Sequence, residues 1–561
     1  MQRLYALATG GVSLVKGLPA SWNAGVAAPT ISATTARIVG LILLAVILFR
    51  LPTLGFGILN PDESVYILLA SGWKTGLLPY VDLIDRKPLG IFMIYGLAEG
   101  VFHNGVVGPR IFALLATFAT SFMLFAFARK HLKVSVESAA VGGVLFSAYG
   151  MLFGGDAAQA PVFYMPLIAG AALLVTDALT DLVSGRPAGA TRLGATGLLL
   201  GLALQIKYSV VIECIGFGGV IMAYGALAWP RLARITRQDL VAGLALMICG
   251  GLAPTIVVGA GYAAIGQFDA WYFCNFTSNF QRQSTDHSLF HTMRSAMLLS
   301  LAALPLMVAA GLYIAARRRD RFRDIRPAAG WVHGLLVIWF VTAMLDGFML
   351  RQAYSHYFYG AIAPLAVLAG ASLHRSFVNG LRSARIVVAI LLGLAGAGYA
   401  GGWVHEIDNY GSPYLAYRMA NDLRADRPQS LYVFNKYGIL YYLAGQKLPT
   451  KYPMPEHVLR DLEARSFGFD GNTELTRMLD ARPTVIAVAL PFPENVGADR
   501  IATLNATLAA NYCAWRTYEA GEHEVTLYRD ITSKECGAFE IGNLALDNSA
   551  TLLRIGTAHG S

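Results

Sequence analysis

Charge is scarce in this sequence. Asp, Glu, Lys and Arg together make 14% of 561 residues, against roughly 25% in soluble domains. So little charge excludes both a soluble enzyme and a disordered chain, because neither keeps so much apolar residue in water. Cysteine is also sparse: five residues, none in a Cys-x-x-Cys pair, which excludes a disulfide scaffold and a zinc ribbon. His-Glu-x-x-His and EF-hand patterns are missing as well, so no metal or other cofactor is assigned. No repeat of solenoid period is present. Residues 1–35 lack the charged–apolar–cleavage order of a signal peptide and read as a loose cytoplasmic tail.

What the sequence has is apolar residue in blocks. The apolar share is 55% and the mean hydropathy is +0.50. Eleven blocks approach the bilayer-spanning length, at roughly 37–54, 111–128, 137–154, 160–176, 193–206, 208–229, 240–264, 295–316, 331–349, 357–373 and 385–403. The net charge of +9 suits nucleic acid poorly, since the basic residues sit between the blocks. They cluster after the second, fourth, sixth, eighth and tenth: Arg129 to Lys133, Arg186 and Arg192, Arg231 to Arg237, Arg317 to Arg326, and Arg375 to Arg385. An N-terminus in the cytoplasm puts all five on the cytoplasmic side. Counting the shorter stretch 88–102 as a span would break that alternation, so it is expected to lie on the membrane surface. The expected division is a tail at 1–35, a membrane domain at 36–403 with an outer loop at 55–110, and an outward α/β domain at 404–561. Within the last, 431–435, 484–490 and 525–530 read as strands.

The outer loop concentrates chemistry beside the membrane. Asn60-Pro61-Asp62-Glu63 reads as a helix start, with Asn60 as N-cap, Pro61 in the first turn and Glu63 completing a capping box. Asp82, Asp85, Arg86 and Lys87 follow. Acids and bases held at a bilayer surface suit a charged lipid headgroup, although Arg86 and Lys87 could equally pair with Asp82 and Asp85.

Asp62-Glu63-x-x-Tyr66, then Gly76, Pro79-Tyr80-x-Asp82 and Arg86-Lys87-Pro88, resembles the first outer loop of bacterial GT-C membrane glycosyltransferases, the relatives of protein O-mannosyltransferases and of the aminoarabinose transferases of lipid A. Arg50, the Gly197 to Gly201 segment before Lys207, Ser355-His356-Tyr357-Phe358 and Tyr441-Tyr442 add to the likeness, which covers about residues 36–530. The resemblance implies a helical GT-C fold and transfer of a sugar, with inversion, from a polyprenyl-phosphate donor to a hydroxyl of an envelope glycan, lipid or protein on the periplasmic face of the inner membrane. It implies Asp62 as the general base, with Glu63 beside it, and Lys87 with Arg86 at the leaving phosphate. Tyr66, Tyr80 and Asp82 would belong to the substrate loop. Asp156 stands where relatives carry a second acid, but the Asn-Thr-Glu that follows in many of them is Gln159-Ala160-Pro161 here, and a helix cap is the competing role. Lys207, Arg351, His356 and Tyr357 are further candidates for the donor phosphate; snorkelling and an aromatic belt compete. A lipid-linked-sugar transporter would show paired halves and charges at mid-membrane. An assembly subunit would not need Asp62 with Arg86 and Lys87.

Overall fold

The computed structural model describes residues 33–281, 289–320, 327–349, 354–493 and 496–532. Arg351, Cys536 and residues 1–32 lie outside the described residues. With no water available in hydrocarbon, each apolar block satisfies its backbone internally as a helix. The helices are α1 (Ala33–Arg50), α2 (Pro61–Lys74), α3 (Leu89–Phe102), α4 (Val107–Phe127), α5 (Val136–Gly150), α6 (Ala160–Val183), α7 (Ala190–Leu204), α8 (Val211–Ala228), α9 (Arg234–Ala264), α10 (Leu289–Asp320), α11 (Pro327–Met349), α12 (Tyr359–Ser372) and α13 (Arg382–Tyr410). All eleven blocks fall on helices. Among the described residues, ten helical stretches are long and apolar enough to cross a membrane; the remaining block, α7, is fifteen residues.

That short helix is held by backbone proximity. A Cβ on Gly197 would stand 2.0 Å from the Met247 carbonyl oxygen, and one on Gly201 would stand 2.5 Å from that of Gly251. The small-residue row of α7 therefore lies directly on α9, the close approach that drives helix pairing where no hydrophobic effect operates. The fourteen-residue α3 packs between α2 and α4. It buries Ile91, Phe92, Tyr95 and Ala98 and leaves Met93, Leu97 and Val101 more than half exposed.

One end of the bundle is laced by surface ion pairs: Lys130 with Asp177, and Arg186 and Arg192 with Asp181, at 2.6–2.7 Å. The other end carries the longer loops and a small α/β unit. After α14 (Leu415–Asp426) comes a four-stranded sheet of β1 (Leu431–Val433), β2 (Val485–Leu490), β3 (Tyr512–Ala520) and β4 (His523–Asp530), in the order β1-β2-β4-β3. β1 and β2 are parallel, and the other pairs are antiparallel. Helices α15 (Pro455–Leu459), α16 (Asp461–Ser466), α17 (Gly471–Asp480) and α18 (Ala498–Asn511) lie between β1 and β3 in sequence. The unexpected strand is β3. Its Arg516 and Glu519 interrupt the apolar pattern because it is an edge strand with one solvated face. Cys513 in β3 is disulfide-bonded.

Gly197→Val should force α7 away from α9 and lower stability in detergent by about 1–3 kcal/mol, the usual penalty of overpacking. Gly219, with nothing within 4 Å of a Cβ, is the control: Gly219→Ala should leave the thermal midpoint nearly unchanged.

Candidate active site

The site begins at the first turn of α2. Asn60 is extended, and its side-chain oxygen accepts the Asp62 N–H at 3.0 Å. The capping box is not completed, because the Glu63 side chain turns into the bundle. There it takes the Arg110 guanidinium through Nε at 3.2 Å and Nη2 at 2.7 Å, and the Ala158 N–H at 2.7 Å. Glu63 and Arg110 are 3% and 2% exposed. Glu63, expected beside the base, has both of its oxygens engaged in holding α2 to α4 and to the 154–159 turn.

Asp62, one residue earlier, meets different partners. Its Oδ2 lies 3.3 Å from Lys87 Nζ and accepts the Tyr66 hydroxyl at 3.4 Å. Lys87 also sits over the Tyr66 ring, 5.2 Å from its centre. Burial opposes the lysine charge, but Asp62, then Tyr66 and Asp85, hold its pKa well above the ordinary value. Lys87 therefore stays cationic at neutral pH.

The loop that aims Lys87 is tightly braced. Tyr80 is a non-glycine residue in the left-handed region, at φ 69°. It is 1% exposed, its N–H reaches the Leu83 carbonyl at 2.7 Å and its hydroxyl reaches the Lys87 carbonyl at 2.8 Å. Asp85 accepts the Lys87 N–H at 2.7 Å, and burial pushes its carboxyl pKa up. Asp82 is exposed and accepts the Leu78 N–H at 2.7 Å within its own turn. Tyr80 and Asp82 thus shape the loop. Arg86 departs from expectation. It points away from Lys87 into the α/β unit, where it binds Glu463 and Ser466 and lies 3.8 Å from the Phe467 ring centre. It is 8% exposed, a docking residue between the loop and α16. It is not placed as a second phosphate ligand.

The turn before α12 supplies another wall. Tyr354 stacks on His356 with ring centres 5.8 Å apart, and His356 meets Tyr357 edge-on at 4.6 Å. The charged neighbours of His356 are Asp62, Lys207 and Lys87. Lys207 Nζ lies 4.2 Å from the Tyr357 ring centre. It also lies 3.0 Å from Asp346 Oδ2 of α11. Asp62, Lys87, Lys207, His356 and Tyr357 are therefore brought together. Asp156 instead faces Arg50 and Glu63, and burial pushes its pKa up to about 6. Among the described residues, no group of three His, Cys, Asp or Glu side chains is placed to hold a metal ion.

Two participants escaped the sequence reading. Asp346 is an acid inside an apolar span, and that alone is the signal that could have found it. Arg110 opens α4 and looks like any residue at a helix start until Glu63 meets it. Together the residues place a carboxylate able to accept a proton against a lysine able to take an anion. Displacing Lys87 onto an incoming anion would release Asp62 as a base.

No family model matches this chain, and no curated protein does. Two crystal structures of ArnT from Cupriavidus metallidurans are similar to it, one bound to undecaprenyl phosphate and one in the apo state. Each agrees with a TM-score of 0.56 at 13% identity, over 88% of this chain and 98% of ArnT. The chain has the GT-C fold.

Asp156 should titrate near pH 6, as a protonated-carboxyl infrared band that vanishes as pH rises and is missing from Asp156→Asn. Because folding raises this pKa, protonation favours the fold. That contribution is full below about pH 4, the unfolded value, and gone above about 6. Arg86→Ala should speed hydrogen exchange across α16 and leave that of α7 unchanged, since it leaves Glu463 buried without its cation.

Proposed function

We infer that this chain is a membrane glycosyltransferase that takes a sugar from a polyprenyl-phosphate donor and passes it to a hydroxyl acceptor at the outer face of the bacterial inner membrane. The observation that carries this reading is the Asp62–Lys87 pair at 3.3 Å. Its setting supports it. A small apolar cavity lined by Phe153, Leu299, Ala303, Met344, Phe358 and Leu365 lies where α10, α11 and α12 meet, and its Phe358 is two residues from His356. A phosphate at Lys87 with prenyl carbons against such an apolar lining fits the proposed donor. ArnT, which shares the fold, was crystallised with undecaprenyl phosphate.

In the proposed reaction the donor phosphate draws Lys87 from Asp62. The acceptor hydroxyl then gives its proton to Asp62 while its oxygen bonds to the anomeric carbon. The bond from that carbon to the phosphate oxygen breaks, and polyprenyl phosphate leaves with the electron pair, its charge held by Lys87. A single displacement inverts the anomeric centre. With the tail cytoplasmic, the basic clusters face the cytoplasm and the α/β unit faces the periplasm. The acceptor is a glycan, lipid A or protein hydroxyl of the envelope.

Asp62→Asn keeps the first-turn geometry and removes the base, so transfer of labelled sugar in purified membranes should fall by roughly 10²–10⁴-fold with donor binding intact. Lys87→Ala should weaken donor binding itself. Wild-type transfer by Asp62→Asn would reduce Asp62 to a helix-start acid and remove the main support for the enzyme reading.

A further inference from the structure

Lys207 is held in an unusual way for a residue at a membrane-helix end. It occupies the extended turn between α7 and α8 and is 9% exposed, so it does not snorkel to water. Its ammonium lies 3.0 Å from Asp346 Oδ2 and 4.2 Å from the centre of the Tyr357 ring. Asp346, near the end of α11, is 2% exposed, and its Oδ1 accepts no hydrogen bond from the described residues. Glu213 of α8 and Tyr164 of α6, 1% and 0% exposed, face the same spot and also keep a polar oxygen unpartnered among those residues.

A buried ion pair is a poor stabiliser, since apolar residues of similar volume usually do as well or better. Two carboxylates and one ammonium inside a bundle therefore call for a purpose other than packing. The position supplies one. Tyr357 has Lys207 over its ring on one side and Lys87 as an electrostatic neighbour, and His356 has both lysines near it. Lys207 thus approaches the His356–Tyr357 wall as a second cation beside Lys87.

We propose that Asp346 is a positioning residue: through its ion pair it holds the Lys207 ammonium against Tyr357, where Lys207 and Lys87 together receive the donor phosphate. This rests on the polyprenyl-phosphate reading above and adds to it a second cation and the acid that aims it. Asp346 touches no substrate.

The test is a cycle of Lys207→Gln, Asp346→Asn and the double variant in the full chain in nanodiscs, read as binding of undecaprenyl phosphate and as thermal midpoint. Each single variant should weaken binding by roughly tenfold to a hundredfold, the worth of a charge-assisted contact. The double should bind no worse than Lys207→Gln, because Asp346 acts only through Lys207. It should also melt above Asp346→Asn, having no buried ammonium left without its Asp346 partner. Asp346→Glu should recover part of the binding. A double variant that binds like wild type would make the pair purely structural and overturn the proposal. Additive losses, or normal binding by a folded Asp346→Asn, would overturn it too. A wild-type protein that binds no undecaprenyl phosphate would sink the donor reading itself, and this proposal with it.

Discussion

The buried ion pair of Glu63 and Arg110 is the constraint on which the site depends. Arg110 uses Nε and Nη2 on Glu63 and Nη1 on the Thr53 and Phe56 carbonyls, while Glu63 also takes the Ala158 N–H. Four segments are thereby tied at one point: the stretch after α1, the first turn of α2, the start of α4 and the turn before α6. A charged pair removed from water is stable only when its remaining donors and acceptors are satisfied, and here backbone groups do that. The consequence for chemistry is directional. With Glu63 committed inward, the helix turn leaves its neighbour Asp62 outward, against Lys87.

Neighbouring charges in the outer loop have separate jobs for the same reason. Lys87 faces Asp62, and Arg86 faces Glu463 on α16. The two side chains leave the loop toward different partners, so the dibasic pair is divided between two jobs. The planar guanidinium suits the docking role, since it bonds Glu463 and Ser466 while lying over Phe467. The compact ammonium suits the role in which a partner is exchanged. Docking of the α/β unit and placement of Lys87 are thus joined through one peptide bond.

Much of the fold was legible. Apolar blocks of spanning length have one outcome in a bilayer, a self-satisfied helix. Alternating basic clusters order those blocks without any knowledge of packing. The edge strand β3 was not legible, because a strand with one solvated face carries too weak an apolar pattern to separate from a loop. The capping box at Glu63 does not form for a related reason. The spacing of Asn60 and Glu63 permits the reciprocal bond, but a buried arginine 47 residues away competes for the same carboxylate and wins as the stronger, charge-assisted partner.

The sequence by itself therefore determined the class of molecule, the order of its helices and the loop in which reactive groups gather. Those properties follow from hydropathy, charge placement and local spacing, each a function of neighbours along the chain. Only the tertiary structure decided which charges meet. Glu63 with Arg110, Arg86 with Glu463 and Lys207 with Asp346 join residues 47, 377 and 139 positions apart. At such separations partner choice is set by helix packing: the glycine contact of α7 on α9, which seats the turn carrying Lys207, and the approach of α11, which brings Asp346 to it.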